Sequence, residues 1–271
     1  MAALKALSGR SLKAPKALLL DFGGVIVQTE RIAGWQARLT ARVTELLVAS
    51  PAGGGSVSAE RIARDIEAGC IADSHWKNAM SRPLSPPELT HEGFWADFVA
   101  ADWPEAARAA VVAQAAELCR QMGHLRSSRA IRPGILQLFD AADRAGVPVG
   151  IVSNALSGQV HLDFLEQNGL TSRFAVIVHS DAAKVRKPNP EMILLATRQL
   201  ALDASEAWYV GDNFDRDVLC GVRAGIGGNI LMEAKDTYDL PYDLQVRPDA
   251  IVPDPHGLLA LFEASIRSVA A

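Results

Sequence analysis

The sequence predicts an α/β fold, in which a parallel sheet is covered by helices and interrupted by one inserted helical block. The first observation is a set of six short apolar runs with the character of β-strands. These runs are ALLLDF (17–22), VPVGIVSN (147–154), FAVIVHS (174–180), AWYVGDN (207–213), GGNILM (227–232) and DAIVPD (249–254). A helical pattern follows each run except the last two. Nearly continuous apolar strands separated by helices are typical of a parallel sheet that is buried on both faces.

The second observation is a change of pattern between Val27 and Ala130, where we predict helices and no strand. Four helical patterns occupy this stretch, at 31–48, 58–72, 90–103 and 104–122. About a hundred residues of helix are too many for a loop of the sheet. We therefore predict an α/β core formed by 1–27 and 131–271, and a separate helical domain at 28–130.

Helix boundaries are marked by a few residues. The pattern at 131–146 has Pro133 near its start and Gly146 at its end, which is the expected punctuation of a helix. Thr90 has the character of an N-cap, and Pro104 suits a first helical position. The stretch PAGGGS (51–56) lacks the ending that a phosphate-binding loop requires, so we interpret it as a linker.

The third observation is that polar side chains stand at the ends of three predicted strands. They are Asp21, Ser153, Asn154, Asp212 and Asn213. In parallel sheets, ligands bind beyond the carboxyl ends of the strands. The sequence therefore predicts a functional site at this edge of the sheet.

Composition narrows the class of protein. Of the 271 residues, 49% are hydrophobic and 21% are charged, as in ordinary globular proteins, and the net charge of −4 disfavours a nucleic-acid partner. Cys70, Cys119 and Cys220 are widely spaced, which fits reduced thiols better than disulfides or structural zinc. Without a signal core or an apolar run of about 18 residues, we expect a cytoplasmic protein with no membrane association. We expect residues 1–16 to be a disordered lead-in, and both a monomer and a homodimer stay open.

Taken singly, the polar strand-end residues have ordinary explanations. Ser153 and Asn154 could cap the next helix, and Asp215 or Asp217 could be caps or first-turn acids. Lys187 could be a surface lysine in front of a helix. Their order along one α/β chain is what indicates a site.

In that order, four short segments resemble the motifs of the haloacid dehalogenase superfamily. The segments are DFGGV (21–25), VSN (152–154), KPNP (187–190) and GDNFDRD (211–217). The resemblance is to the branch with a helical cap inserted after the first motif, similar to subfamily IA. It implies a Rossmann-like core of three layers, with 28–130 as the cap. It also implies a Mg²⁺-dependent phosphatase that acts on a small phosphorylated metabolite, with a sugar phosphate as one candidate.

The resemblance further implies a role for each matching residue. Asp21 would be the nucleophile that forms an aspartyl phosphate, and Lys187 would offset the phosphoryl charge. Mg²⁺ would be held by hard oxygen ligands and oriented by a carboxylate behind them. The metal ligands would be Asp21, Asp212 and the carbonyl of Gly23, with Asp217 behind them, and the phosphoryl oxygens would be held near Phe22, Ser153 and Asn154.

Gly23 departs from the family pattern, which usually has a second Asp at this position. Glycine keeps the backbone carbonyl and eases the turn because it tolerates a positive φ, but it cannot transfer a proton. General acid–base catalysis is typically worth about 10²–10⁴-fold in rate, so we expect slow turnover of ordinary alkyl phosphates.

Three explanations of Gly23 stay open. The substrate could carry a good leaving group, such as that of a sugar 1-phosphate or an acyl phosphate. A residue of the helical block could supply the proton, with His75, Lys77 and His91 as candidates. Alternatively, the protein could be a catalytically impaired pseudoenzyme that binds a phosphorylated ligand or a protein partner.

Two other chemistries of the superfamily are less well supported. Haloacid dehalogenases work without a metal and do not need the acids of the fourth motif, so Asp212 and Asp217 speak against them. A phosphonate-cleaving hydrolase would need a Schiff-base lysine, for which Lys77 is the candidate.

The helical block is where we expect substrate choice to be made. Its aromatic residues are expected to form mostly its own core. They are Trp35, Trp76, Phe94, Trp95 and Trp103. Two chain crossings, near 28–30 and 127–132, predict a hinge that opens and closes the site.

Overall fold

The computed structural model describes residues 12–50 and 57–270. The predicted lead-in lies largely outside these residues, and the predicted linker at 51–56 lies wholly outside them. In the described part of the chain, no helix combines the length and apolar character needed to cross a bilayer.

A parallel sheet of six strands forms the centre of the fold, as predicted. Its order is β5-β4-β1-β6-β7-β8, and every neighbouring pair is parallel. Each apolar run identified in the sequence contains one of these strands. The described strands are β1 (Ala17–Leu20), β2 (Val27–Arg31), β3 (Ser127–Ile131), β4 (Val149–Ser153), β5 (Val176–His179), β6 (Ala207–Gly211), β7 (Gly228–Met232) and β8 (Ala250–Val252).

Helices cover both faces of this sheet and also form the block between β2 and β3. The helices of the block are α1 (Trp35–Ala49), α2 (Ala59–Met80), α3 (His91–Gly93), which continues as a π-helix (Phe94–Val99), α4 (Glu105–Ala113) and α5 (Ala115–Arg126). Those of the core are α6 (Ile135–Ala145), α7 (Gln159–Gln167), α8 (Ser180–Ala183), α9 (Glu191–Gln199), α10 (Leu219–Ala224) and α11 (Pro255–Ala270).

Strand alternation explains the three layers of the core. Leu18 and Leu20 point to one face of the sheet, where they join an apolar cluster with Phe139 of α6 and Phe262 of α11. Leu19 points to the other face and packs in the cluster of α9 and α10. Both faces of β1 are therefore buried, which is why the run at 17–20 is apolar throughout.

Several predicted helix boundaries are corrected. The pattern at 104–122 forms two helices, because the backbone leaves helical geometry at Gln114, and Pro104 precedes α4 instead of opening it. The last strand is followed by a helix, α11, that the sequence did not predict. Thr90 is confirmed as an N-cap, since its hydroxyl accepts a hydrogen bond from Gly93 N at 2.9 Å.

The prediction of no strand between Val27 and Ala130 is wrong at both ends of that stretch. Strands β2 and β3 pair as an antiparallel ribbon, in a register that runs from Val27↔Ile131 to Arg31↔Ser127. Most side chains of this ribbon are exposed or half-buried. Neither strand therefore has the apolar run or the alternation from which a strand is predicted. The ribbon carries both of the predicted chain crossings.

The helical block has an apolar cluster of its own. Trp35, Phe94, Trp95 and Trp103 are buried in it, as expected from the sequence, whereas Trp76 lies outside it and stacks with the guanidinium of Arg186. The description of residues 28–130 as a separate domain stays a prediction.

A second connection joins the block to the core, through residues 81–90. Glu88 N donates to Lys184 O at 3.0 Å, and Arg186 N donates to Pro86 O at 3.2 Å. The side chains of Glu88 and Arg186 form an ion pair at 2.7 Å that is almost fully buried. The block therefore contacts the core beside Lys187 as well as through the ribbon.

Candidate active site

Three carboxylates meet at the carboxyl edge of the sheet. Asp21 directly follows β1, the strand between β4 and β6, and its backbone N donates to Val210 O at 2.9 Å. Asp212 follows β6, and Asp217 lies in the helical turn after it. Carboxylate oxygens of Asp21, Asp212 and Asp217 all lie within 4.8 Å of one another. The parallel register of β1 and β6 is what brings residues so distant in sequence together.

Lys187 lies in the middle of this cluster. Its Nζ is 3.1 Å from Asp21 Oδ1 and 2.6 Å from Asp217 Oδ1, and its side chain is only 1% exposed. Burial lowers the pKa of Lys187, but the charges of Asp21 and Asp217 outweigh this effect and hold its pKa above the usual range. Lys187 is therefore a buried ammonium paired with two carboxylates, and the interpretation of it as a surface lysine is wrong.

Asp217 is held on all sides by donors. It accepts hydrogen bonds from Tyr209 Oη at 2.7 Å, from Asp212 N at 3.2 Å and from Asn213 N at 3.0 Å, in addition to Lys187. A carboxylate with this many protein partners is suited to orienting its neighbours. This arrangement fits the predicted position of Asp217 behind the metal ligands.

The other two carboxylates are electrostatically crowded. Burial raises the pKa of Asp21, with a further rise from Asp217, while Lys187 and a hydrogen bond from Ser153 act in the opposite direction. The pKa of Asp212 lies well above its usual value, chiefly through burial and then through the charges of Asp217 and Asp21. A site that raises the pKa of two adjacent carboxylates favours a bound cation, which would relieve their repulsion.

The glycine turn after Asp21 is shaped around Asp212. Gly24 has a φ of +76°, and a Cβ added there would lie 2.0 Å from Asp212 Oδ2. The turn therefore needs a glycine at position 24, both for its backbone geometry and for the space that the carboxylate occupies. The expectation that Gly23 eases the turn through a positive φ is wrong, because the positive φ belongs to Gly24.

Gly23 itself has free space beside it. A Cβ added to Gly23 would meet no atom within 4 Å among the described residues. A larger side chain is therefore not excluded by the fold at this position. The absence of an acid at position 23 is a property of the sequence and not a steric requirement of the turn.

Ser153 and Asn154 are bound into the site and do not cap a helix. The next helix, α7, begins only at Gln159. Asn154 Oδ1 accepts from Lys187 N at 2.8 Å, and its Nδ2 donates to Lys187 O at 3.1 Å. Asn154 therefore holds the backbone of Lys187 in place. The role of Phe22, Ser153 and Asn154 in binding phosphoryl oxygens stays a prediction, with Phe22 N at 2.7 Å from Asp21 Oδ1.

Asn213, and not Asp215 or Asp217, caps the helical turn of the fourth motif. Asn213 Oδ1 accepts hydrogen bonds from Asp215 N at 3.2 Å and from Arg216 N at 3.3 Å. Asn213 is therefore the N-cap of the turn that carries Asp217.

The three residues considered as proton donors from the helical block have other surroundings. His75 is exposed to solvent. Lys77 donates to Asp73 at 2.6 Å, and His91 Nε2 lies 3.6 Å from Asp181. Lys77 and His91 are each drawn toward a carboxylate other than Asp21.

Sequence reasoning missed two residues that shape the site. Tyr209 lies within the apolar strand β6, and its hydroxyl accepts from Lys187 Nζ at 2.8 Å. Arg132 lies at the end of the ribbon and donates to Gly24 O and, at 3.0 Å, to Glu233 O. Among the side chains of β6, only Tyr209 and Trp208 carry a polar atom, so the tyrosine hydroxyl in an apolar strand could have indicated a site residue. Nothing in the local sequence distinguishes Arg132.

A cavity of about 930 Å³ opens onto the Asp212 end of this cluster. It extends from the glycine turn and Asp212 to the ribbon and to the loop after β7. Its lining residues are Gly23, Gly24, Gln28, Thr29, Glu30, Arg31, Arg126, Ser127, Arg132, Asp212, Ala234, Lys235 and Asp236.

The residues present fit a Mg²⁺ ion. The donors are carboxylate oxygens, which Mg²⁺ prefers, and they come together from the segments that follow β1 and β6. The close approach of Gly24 to Asp212 fixes one of these carboxylates against the turn.

Comparison with known proteins agrees with this geometry. A family model described as haloacid dehalogenase-like hydrolase matches residues 105–228. Pyrophosphatase PpaX of Bacillus velezensis is 37% identical over 91 residues, which cover 34% of this chain and 41% of that protein. The chain spans less than two thirds of the length of the curated relatives it matches.

Solved structures share the fold over almost their whole length. CbbY from Rhodobacter sphaeroides, in complex with phosphate, has a TM-score of 0.56 at 17% identity, with 92% of this chain and 99% of that chain covered. A 2-haloacid dehalogenase from Pseudomonas syringae pv. Tomato has a TM-score of 0.57 at 19% identity, with 93% and 99% covered. Residues 105–228 therefore match the haloacid dehalogenase-like hydrolases, the fold is shared with solved structures, and the four ordered motifs lie at one sheet edge.

Proposed function

We propose that this protein is a Mg²⁺-dependent phosphatase that hydrolyses a small phosphorylated metabolite through an aspartyl-phosphate intermediate. The observation that carries the proposal is that carboxylate oxygens of Asp21, Asp212 and Asp217 lie within 4.8 Å of one another, with the ammonium of Lys187 in contact with Asp21 and Asp217. In-line attack on a phosphate monoester requires an anionic nucleophile, a counter-charge for the phosphoryl oxygens and a divalent cation. The chain offers residues for each of these parts.

The metal ligands in this proposal are Asp21, Asp212 and the carbonyl of Gly23. When bound, Mg²⁺ supplies the positive charge that lets an anionic phosphate approach an anionic carboxylate. Asp217 keeps Lys187 and the backbone of Asp212 in place through its hydrogen bonds. The presence of both acids of the fourth motif, Asp212 and Asp217, favours phosphoryl transfer over the metal-free dehalogenase chemistry.

Asp21 is the proposed nucleophile. One of its carboxylate oxygens attacks phosphorus, the bond to the leaving oxygen breaks, and the phosphoryl group is then carried by Asp21 until water attacks phosphorus and releases inorganic phosphate. Lys187, at 3.1 Å from Asp21 Oδ1, favours the ionised form of this carboxylate and balances charge on the phosphoryl oxygens. Ser153 and the backbone amides near Phe22 and Asn154 are the proposed partners of those oxygens.

The absence of an acid at position 23 restricts the substrate. Because Gly23 cannot protonate the leaving oxygen, a leaving group that is stable as an anion is favoured, as in a sugar 1-phosphate, an acyl phosphate or a phosphoanhydride. One relative, PpaX, is a pyrophosphatase by name, and pyrophosphate has such a leaving group. Slow hydrolysis of simple alkyl phosphates follows from the same argument.

The test is a phosphate-release screen with sugar phosphates, nucleotides, acyl phosphates and pyrophosphate. We expect Mg²⁺-dependent release from at least one compound with a good leaving group, and loss of at least about 10³-fold in Asp21→Asn. Asp239→Asn, an exposed acid of the core, is the matched control and retains the rate. Release that persists in Asp21→Asn or in the presence of a chelator contradicts the proposal.

A second candidate function is binding without turnover, and the glycine at position 23 is the observation that favours it. Gly23→Asp distinguishes the two, because a Cβ at this position meets no atom of the described residues within 4 Å. An impaired protein releases no phosphate as wild type and gains release in Gly23→Asp. A working phosphatase is active as wild type, and Gly23→Asp extends its range to alkyl phosphates.

We further propose that residues 28–130 form a cap that opens and closes over the cavity by bending at the ribbon. The ribbon is thin and largely exposed, which suits a hinge. Solution scattering of the protein with and without Mg²⁺ and a phosphate mimic is the test. A scattering profile that does not change on addition of both contradicts hinge motion.

A further inference from the structure

The ribbon places two arginines at the far end of the cavity from the carboxylates. Arg31 is the last residue of β2 and pairs in register with Ser127. Arg126 directly precedes Ser127, and its backbone O accepts from Ile32 N at 3.0 Å. Arg31 and Arg126 are therefore neighbours across the ribbon. Both line the cavity whose other end is formed by Gly23, Gly24 and Asp212.

Neither ribbon arginine has an acidic partner within 4 Å in the described part of the chain. Arg126 instead lies over the ring of Trp35, with its guanidinium carbon 5.6 Å from the ring centroid. Such stacking orients a guanidinium without neutralising it and leaves its edge donors free. Arg31 is exposed, and Lys235 on the opposite wall likewise has no ion pair among the described residues.

The residues that line the cavity carry a net positive charge when Asp212, the proposed metal ligand, is left out of the count. Its lining includes four cationic side chains, of which Arg132 is committed to backbone carbonyls. Apart from Asp212, it includes two acidic residues, Glu30 and Asp236, both exposed. Arg31 and Arg126 line the same cavity and have no acidic partner within 4 Å among the described residues, so both are available to an anion that enters it.

From this arrangement we infer that the substrate carries a second anionic group, a carboxylate or another phosphate, which Arg31 and Arg126 bind while its scissile phosphate lies at Asp21. The inference rests on the proposed phosphatase function. A guanidinium presents two parallel N–H donors that match either anion, and a pair of guanidinium groups can bind it from two sides. Substrates that end in a neutral group lack this interaction and bind more weakly.

Equilibrium binding of non-hydrolysable phosphonates tests the inference without relying on turnover. The probes are alkylphosphonates of several chain lengths that end in a carboxylate, in a second phosphonate or in a neutral amide, and calorimetry is carried out in the presence of Mg²⁺. We expect the charged probes of the best length to bind at least about tenfold more tightly than the matching amide. Which of the two charged series binds more tightly then identifies the anion as carboxylate or phosphate.

Arginine variants assign the preference to the ribbon. Arg31→Gln and Arg126→Gln keep polar side chains of similar length, and the double variant is expected to reduce the preference to about twofold or less while the affinity for the amide stays the same. Arg64→Gln is the matched control, since Arg64 is an exposed arginine of α2 that does not line the cavity. Circular dichroism of each variant confirms that it is folded.

Three outcomes overturn the inference: equal binding of charged and neutral probes, a preference that survives the double variant, and failure of every probe to bind. Failure of the proposed function looks different. If charged phosphonates are preferred through Arg31 and Arg126 but no ester or anhydride releases phosphate, the anion subsite stands and the phosphatase proposal fails.

Discussion

Two pairs of cations lie around the same site in opposite states. Arg186 and Lys187 are adjacent in sequence, almost fully buried, and each is paired with a carboxylate, at 2.7 Å from Glu88 and at 2.6 Å from Asp217. Arg31 and Arg126 are more accessible, and neither has an acidic partner within 4 Å in the described residues. The charges of the first pair are balanced by carboxylates of the same chain, whereas the guanidinium groups of the second pair are available to bind an anion.

The difference separates charges that hold the site together from charges that face a ligand. A buried cation without a partner would cost several kcal/mol, so Arg186 and Lys187 require their carboxylates for the chain to fold in this way. A cation in contact with water carries no such requirement. Variants of the first pair should therefore affect stability, and variants of the second should affect only binding.

The largest expected effect is that of Lys187→Met. Removal of the ammonium leaves Asp21 and Asp217 facing each other in a buried site, and we expect a loss of about 3–5 kcal/mol in the free energy of unfolding. Urea denaturation measures it, with Lys184→Met, an exposed lysine of the same loop, as the control. If the site is arranged as described, adding Asp217→Asn to Lys187→Met recovers part of the loss. An unfolding free energy equal to that of the wild type would show that Lys187 is not the balancing charge.

The next effect is that of Glu88→Gln, which breaks the other buried pair. Arg186 loses its counter-charge but keeps a hydrogen-bond acceptor, so we expect a loss of about 2–3 kcal/mol in the free energy of unfolding. Glu92→Gln, an exposed acid on α3, is the control and should change stability by less than about 0.5 kcal/mol. If the two variants were equally stable, Arg186 would not require Glu88 as a counter-charge.

Gly23 and Gly24 provide a matched pair of variants beside Asp212, the proposed metal ligand. In Gly24→Ala the new methyl group would lie 2.0 Å from Asp212 Oδ2, so Asp212 must move, and we expect Mg²⁺ affinity to fall by at least about tenfold with about 1–3 kcal/mol lost in stability. Gly23→Ala is the matched control, because its methyl group meets nothing within 4 Å in the part of the chain that the structure describes. Calorimetric titration with Mg²⁺ measures both variants. The same Mg²⁺ affinity in both would exclude Asp212 as a ligand.

The smallest effect concerns an ion pair that titrates near neutral pH. His91 Nε2 of the helical block lies 3.6 Å from Asp181 of the core, and the pKa of His91 is raised, chiefly by its interaction with Asp181 and against burial. Glu92 also faces it, and burial lowers the pKa of nearby His179. The contribution of the pair is full below pH 6.5 and is lost as the pH rises through the raised pKa of His91.

Unfolding experiments at a series of pH values measure this contribution. Because the pair is partly exposed, we expect it to be worth less than about 1 kcal/mol. His91→Gln should be less stable than the wild type below pH 6.5 and equally stable at alkaline pH. A difference between the two proteins that does not depend on pH would mean that the charge of His91 plays no part in joining the block to the core.

The sequence alone determined the sheet and the residues at its carboxyl edge. Buried parallel strands are apolar over their whole length, so the run at 17–20 and its five counterparts could be identified without any tertiary information. The helical spacing of the aromatic residues in the helical block likewise predicted that most of them form its core. The order of the motifs along the chain predicted that Asp21, Lys187 and Asp212 lie together at one site.

Only the tertiary structure decided which charges are paired. The ribbon was missed because its exposed strands carry no apolar pattern, and with it the position of Arg31 and Arg126 in the cavity was missed as well. The pairing of Arg186 with Glu88 joins residues about a hundred positions apart, and ion pairs leave no periodic signal in a sequence. Hydrophobic burial is a local pattern, whereas the partner of a charge depends on which distant segments the fold brings together.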